Sequence, residues 1–262
     1  MKTIDSCPVC GNNQVTRYPS RFDSWTISRF LRKTPTQSRP PVEVHHCTDC
    51  SFAYVNYRFD PLEEQQYYEN YMTGEYVESR GVHWHAQFYH SKEYQTMRRT
   101  AAWEILSPWC KQVKSLLDFG GDTGHMIPQQ FDQIDRYVLD VEARSLDNGV
   151  VCVDYATPIK VDLVMCSHTM EHVSDINGAM TEMTKRLNSN GLIYVEVPNE
   201  NPGEFDNNFT WYEHINLFNI KSMAQLLANH NFELLSAQEI NYPNPMTRSI
   251  ALMGRHLGEH NV

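Results

Sequence analysis

LLDFGGDTG, Leu116 to Gly124, reads as a buried strand that runs into a glycine-marked turn, with the carboxylate of Asp118 near the strand's end. Gly120, Gly121 and Gly124 allow a tight bend and let a ligand approach the backbone closely. Downstream the chain keeps a strand-and-helix rhythm: DRYVLDVE at Asp135 to Glu142, GVVCVD at Gly149 to Asp154, VDLVMCSH at Val161 to His168 and GLIYVEVPN at Gly191 to Asn199. A helix is expected from Asp175 to Leu187, ended by NSNG at Asn188 to Gly191. KSMAQLLANHNFELLSAQEI, from Lys221, supplies another helix and a sixth strand, and SIALMGRH, Ser249 to His256, the last. Seven strands with helices between most of them predict an α/β fold, a doubly wound sheet. Acidic residues stand at or near the ends of the first three strands, the edge where an open parallel sheet binds ligands.

The glycine spacing excludes one ligand class. A dinucleotide fingerprint needs Gly-x-Gly-x-x-Gly, so that amides at a helix N-terminus meet a pyrophosphate. Here Gly120 and Gly124 bracket Asp122, whose carboxylate repels phosphate and tolerates a cationic, phosphate-free ligand. From Leu116 to about Asn199 the chain resembles a class I S-adenosylmethionine-dependent methyltransferase with a Rossmann-like, mostly parallel sheet. The resemblance rests on LDFGGDTG, on the acid after the second strand, and on DLVMCSHTMEHVSD, Asp162 to Asp175, with its Glu-His pair. The chain departs from the pattern at Asp122, where the family often has glycine. The antiparallel course of the final strand is implied by the resemblance alone.

At the other end, Cys7-Pro-Val-Cys10 and Cys47-Thr-Asp-Cys50 are two CxxC pairs separated by 36 residues. Two such pairs complete a tetrahedral thiolate shell with no position left for water, which points to a structural Zn2+ site. A redox CxxC is the competing reading of either pair alone. His45 and His46 precede the second pair and are alternative ligands, although four cysteines suffice. The excursion between the pairs is basic and proline-rich, with a short helix expected around Trp25 to Leu31. Methyltransferases that open on two CxxC pairs, continue through a tyrosine-rich stretch and then reach the glycine loop include enzymes of sugars and surface-glycan precursors, and C-methyltransferases of antibiotic deoxysugars. The chain is similar to them over most of its length. The deoxysugar enzymes carry a further C-terminal domain, so their substrate does not transfer.

The expected organisation is a zinc-binding module over residues 1–60, an aromatic-rich helical connector or lid over 61–107, and a methyltransferase domain over 108–262. In the connector, His85 to Leu106 has helical spacing at Phe88, Met97, Ala101 and Ile105. YYENYMTGEY, Tyr67 to Tyr76, carries too many hydroxyls for a dry core, which suggests a lid.

The net charge of -10 argues against broad nucleic-acid binding, since phosphate contacts need a basic surface. Residues 1–60 carry eight Lys/Arg against five acids, a modest excess that a solvated surface or an anionic substrate would equally explain. No apolar run approaches the roughly 20 residues of a membrane helix. The seven cysteines are odd in number, and Cys110, Cys152 and Cys166 lie in or beside apolar segments and are expected as buried reduced thiols. The expectation is a cytoplasmic protein that does not bind membranes; the oligomeric state is left open.

Methyl transfer is an in-line displacement that needs alignment, and a hydroxyl acceptor needs its proton removed, a task suited to histidine near neutral pH. Three candidates, His168, His172 and His214, fall where strand ends and loops should converge. The resemblance implies that His172 and His214 face the acceptor, with Trp211 where relatives have tyrosine. It also implies that Asp140 binds the ribose hydroxyls of S-adenosyl-L-methionine, with Glu142 as rival two residues on. Asp154 and Tyr155 are placed at the adenine, Asp118 at the loop and the methionine amine, and Ser167 and His168 beside the methionine. The implied acceptor is a small molecule, a sugar or nucleotide-linked sugar, methylated at oxygen. The alternatives are an RNA base methyltransferase and a scaffold without catalysis.

Overall fold

The computed structural model describes residues 2–21, 42–68, 74–141, 146–147, 149–200, 213–243 and 248–258. The expected helix at Trp25 to Leu31, Glu142 and Trp211 lie outside these residues. The chain opens with strands β1 (Lys2–Thr3), β2 (Val15–Ser20), β3 (Val42–Cys47), β4 (Ala53–Val55) and β5 (Tyr57–Arg58). Four helices follow: α1 (Pro61–Tyr68), α2 (Gly74–Arg80), α3 (His83–Tyr89) and α4 (Lys92–Leu106). The remainder is β6 (Ser115–Phe119), β7 (Asp135–Leu139), β8 (Val150–Val153), β9 (Val161–Ser167), α5 (Ile176–Lys185), β10 (Leu187–Pro198), β11 (Asn216–Leu217), α6 (Ile220–Asn229), β12 (Phe232–Ile240) and β13 (Ser249–His256).

Seven strands form the main sheet in the order β12-β13-β10-β9-β6-β7-β8. All adjacent pairs from β10 to β8 are parallel, and β13 runs antiparallel to both β10 and β12. The chain builds outward from β6 through β7 and β8, then returns to β9 on the other side of β6. The topological switch point therefore lies between the C-terminal ends of β6 and β9, where such sheets bind ligands. Thr169 bridges it, its hydroxyl facing the carbonyls of Phe119 and Gly120 at 3.4 Å each.

Strand alternation assigns the two faces of the sheet. Leu117, Val164, Cys166, Ile193, Val195 and Leu252 join one core with Met180 and Met183 of α5 and with Met223, Leu226 and Leu227 of α6. Leu116, Leu163, Met165, Tyr194 and Met253 join the opposite core with Ala102, Ile105 and Leu106 of α4. Near-continuous apolar runs in β6, β9 and β10 reflect burial on both faces. Among the described residues no helix is long and apolar enough to cross a membrane.

The helical reading of His85 to Leu106 changes in two respects. It is two helices, because the Ser91 side chain accepts from the Tyr94 amide and caps α4. The buried stripe of α4 is Tyr94, Arg98, Ala102, Ile105 and Leu106, one residue out of phase with the expected Met97 and Ala101, because Arg98 is drawn inward by a carboxylate. NSNG does not separate a helix from a strand. It lies inside β10, where the register with β9 slips between Leu187 and Leu192 and Asn190 takes a positive φ of 60°, so the extra residues bulge out of the ladder. The tyrosines of YYENYMTGEY also divide: Tyr67 and Tyr76 are fully buried, and the Tyr76 hydroxyl donates to Glu213 at 2.6 Å.

The N-terminal strands form a second sheet, β11-β4-β3-β2, in which Asn216 and Leu217 from the far part of the chain pair with Tyr54 and Ala53. Arg58, itself buried, donates to the Asn216 side chain at 2.8 Å. The Pro8 carbonyl accepts from Asn177 and the Ser51 carbonyl from Asn219. Cys7, Val9, Cys47, Cys50 and Phe52 belong to the same apolar cluster as α6.

Candidate active site

The glycine loop is built from backbone strain and close approach. Gly120 and Gly124 hold φ of 70° and 83°, a region that favours glycine. A Cβ at Gly120 would strike Thr169, one at Gly121 would strike the Asp118 carboxyl, and one at Gly124 would lie 3.1 Å from Val150. Asp122 occupies the left-handed region at φ 52°, which explains why glycine suits this position and why an aspartate, tolerant of that conformation, can replace it. Its amide donates to Asp140 Oδ2 at 2.8 Å. Asp140 follows the end of β7, level with the loop.

Asp118 lies within β6, not at its end, and is 1 % exposed. Burial foremost, then the Asp140 carboxylate, pushes its pKa up to about 7. Its Oδ2 has no hydrogen-bond partner among the described residues. A buried acceptor beneath a Cβ-free cradle at the switch point fits the ammonium of S-adenosylmethionine, and Asp140 fits its ribose.

The three candidate histidines converge. The ring centroids of His172 and His214 are 5.0 Å apart and nearly perpendicular. Between them and His168 lies Glu171, 1 % exposed, with His168 Nδ1 at 3.3 Å and His172 Nε2 at 3.8 Å from its Oε1. His172 Nδ1 contacts the Glu213 main-chain carbonyl; since a carbonyl only accepts, Nδ1 carries the proton and Nε2 the lone pair. Burial lowers the His172 pKa below its ordinary value, against the opposing pull of Glu171. His214 behaves oppositely. Burial disfavours its charge, but the Glu200 carboxylate, 2.8 Å from Nδ1, and then Glu171 raise it to about 9. Within one cluster, at pH 7, His172 is neutral and His214 is cationic. Tyr68 places its ring edge-on 5.9 Å from His172.

His168 is held on both sides by carboxylates. Its backbone is left-handed at φ 53°, its amide donates to the Glu196 carbonyl at 2.7 Å, and its ring lies between Glu171 and Glu196. Glu196 is fully buried within β10 and accepts from the hydroxyls of Tyr194 and Tyr242, at 2.9 and 2.8 Å, beside Arg98 at 3.1 Å. Burial disfavours its charge, but Arg98 and His168 hold its pKa well below the usual range. The sequence signal was a lone acid in the apolar run YVEVP. Glu200 and Glu213 carried no such signal, since both lie in polar loops.

Asp154 and Tyr155 are placed less simply. Asp154 Oδ1 accepts from the amides of Ala156 and Thr157 and from the Thr157 hydroxyl, and these bonds, the Thr157 hydroxyl first, lower its pKa. Its carboxylate thus caps a local turn, with Tyr155 exposed beside it. Ser167 ends β9, one residue before His168.

At the other end of the molecule one sulfur from each of Cys7, Cys10, Cys47 and Cys50 lies within 4.8 Å of the others. Two of the contacts, Cys7 to Cys50 and Cys10 to Cys47, are 3.5 Å. The Cys7–Cys50 hydrogen bond raises Cys7 and lowers Cys50 to about 5, so this pair shares a proton. Four convergent, largely buried thiols fit a thiophilic divalent ion with no open position. His45 turns instead to Glu43 at 2.9 Å, and neither it nor His46 joins the cluster.

The switch-point cradle, the paired acids and the sheet order together define a class I methyltransferase. Residues 89–237 match the family model of the methyltransferase domain, and the chain belongs to this family of S-adenosylmethionine-dependent enzymes. No curated protein matches it in sequence. Among solved structures it is similar to the 1,6-didemethyltoxoflavin N1-methyltransferase of Burkholderia thailandensis, at 14 % identity and a TM-score of 0.56 over 81 % of this chain and 99 % of that one. It is similar also to the magnesium protoporphyrin IX methyltransferase of Synechocystis PCC 6803, at 11 % identity and 0.52 over 70 % and 97 %. The N-methyltransferase NodS of Bradyrhizobium japonicum WM9 follows at 12 % identity and 0.51 over 74 % and 98 %. All three were solved with S-adenosylhomocysteine bound.

Proposed function

We propose that this enzyme methylates a hydroxyl of a small polar acceptor, a sugar, a nucleotide-linked sugar or a surface-polysaccharide precursor, with His172 as general base. The observation that carries the reading is the split pair: a neutral His172 whose Nδ1–H is held by the Glu213 carbonyl, against a cationic His214 held by Glu200. An acceptor rich in hydroxyls suits a cluster of Glu171, Glu200, Glu213 and imidazoles. Bulk RNA suits the chain less, because a net charge of -10 offers few of the phosphate contacts that RNA binding needs. The structural relatives act on dissimilar acceptors, so their fold leaves the choice to these side chains.

S-adenosylmethionine, when bound, supplies a methyl group on a cationic sulfonium and leaves as neutral S-adenosylhomocysteine. Asp118 and the amides of the loop from Gly120 to Gly124 hold its amino-acid end, Asp140 its ribose, and Ser167 lies beside the methionine; Glu142 is the alternative ribose ligand. His172 Nε2 takes the proton of the acceptor hydroxyl, whose oxygen would receive the methyl group that S-adenosylmethionine would supply. His214, with its proton already fixed, donates to a neighbouring acceptor oxygen and orients it. The four cysteines hold a structural zinc, and residues 1–60 serve as the module that carries it. The reduced thiols fit a cytoplasmic enzyme.

The test is transfer of labelled methyl groups into extracted metabolite pools. His172→Ala should lower turnover about 100-fold or more while S-adenosylhomocysteine affinity stays near that of the parent enzyme. Label in bulk RNA, instead of a sugar or nucleotide-sugar fraction, would refute the acceptor; full turnover by His172→Ala would refute the base.

A further inference from the structure

We propose that Glu171, His172 and His214 form a second metal site, for a divalent first-row transition ion, distinct from the four-cysteine centre. One ligand atom from each lies within 4.8 Å of the others, which brings two imidazoles and one carboxylate onto a common point. The inference goes beyond the transfer reading and does not depend on the acceptor or on which residue is the base.

Two further features point to a cation. Glu171 is 1 % exposed, yet neither of its carboxylate oxygens has a hydrogen-bond partner among the described residues. The His168 and His172 nitrogens stand nearby at 3.3 and 3.8 Å without bonding geometry. A buried carboxylate that has an imidazole ion pair at 3.3 Å but no well-formed hydrogen bond is costly, and a bound ion lowers that cost directly. The imidazoles, in turn, are already held from behind: His172 Nδ1 by the Glu213 carbonyl and His214 Nδ1 by the Glu200 carboxylate at 2.8 Å. Ligating histidines are held this way, their outer N–H on a carbonyl or carboxylate and the opposite nitrogen turned to the metal.

The donor set selects the ion class. Magnesium and calcium take oxygen ligands, whereas two imidazoles with one carboxylate suit first-row ions such as zinc, cobalt or iron and leave coordination positions open. An oxygen of a small molecule would enter there and be held and polarised by the ion. His172 Nε2 accepts either the ion or a proton, which makes the loaded site and base catalysis alternative states of one cluster.

The full chain, zinc-replete at its cysteines, would be titrated with Co2+ and followed by visible absorption. The expected result is ligand-field bands saturating near one equivalent per chain, without the intense near-ultraviolet thiolate-to-metal charge transfer of a cysteine site. Glu171→Gln should abolish or greatly weaken them, and Glu200→Gln, behind the ligand, should weaken binding by about 10- to 100-fold. Retention of the S-adenosylhomocysteine-induced melting shift shows that each variant is folded. Spectra no different from aqueous Co2+, charge transfer alone, or bands unaltered by Glu171→Gln would overturn the proposal. If Glu171→Gln does not fold, unaltered binding by Glu200→Gln overturns it.

Discussion

The main-chain amide of Asp122 donates to the carboxylate of Asp140, so the residue that departs from the usual glycine also ties the loop of β6 to the end of β7. Asp140 braces the loop, and in the proposed function it also binds the ribose. Asp140→Ala should therefore weaken S-adenosylhomocysteine binding by about 1.5–3 kcal/mol, the range for a charge-assisted hydrogen bond, as measured by calorimetry. If Glu142→Ala weakens binding while Asp140→Ala does not, the ribose acid is Glu142.

Gly120 and Asp122 both hold positive φ, yet the effects of substitution there should differ in size. Gly120→Ala adds a Cβ against Thr169 in a conformation that alanine resists, and should destabilise the fold by about 1 kcal/mol or more. Asp122→Gly should change stability by no more than about 1 kcal/mol, because relief of the left-handed strain offsets the added freedom of the unfolded chain. Thermal melts of the two variants without ligand compare them.

The raised Asp118 has a signature in proton release. With a folded pKa of about 7 above an unfolded value of about 3.9, its contribution to stability is greatest below the unfolded value and is lost as pH rises through 7. A bound ammonium favours the carboxylate, so S-adenosylhomocysteine should expel a proton near pH 7. Binding enthalpies in phosphate and Tris, buffers of different ionisation heat, should differ accordingly, and Asp118→Asn should erase that difference.

Purified protein should hold about one tightly bound zinc per chain at the four cysteines, measured by elemental analysis. Cys47→Ser should lose it and melt at lower temperature, since loss of a structural ion removes folding free energy. Unchanged melting together with no zinc in the parent protein would dismiss the structural role.

The main sheet was legible because strands buried on both faces leave unbroken apolar runs, and its ligand edge because Gly120 and Gly124 punctuate the first of them. The cysteines were legible from spacing alone. The phase of α4 was not: Arg98 occupies a core position only because Glu196 waits on β10, a pairing across almost a hundred residues that no local period reveals. The bulge at NSNG looked like a turn for a similar reason, since polar residues with glycine mark both. His172 and His214 were placed by resemblance, but the difference in their protonation comes from burial, which lowers His172, and from Glu200, which raises His214, surroundings made only by the folded chain.

The pairing of Asn216 and Leu217 with β4 also sets an order of assembly during synthesis. β2, β3 and β4 emerge from the ribosome early, but their sheet keeps an open edge until the segment just beyond His214 has been made. Any N-terminal fragment that stops short of Leu217 lacks the fourth strand, and a fragment that starts after β4 leaves β11 without a partner. The second sheet is thus completed late, by the segment that directly follows His214.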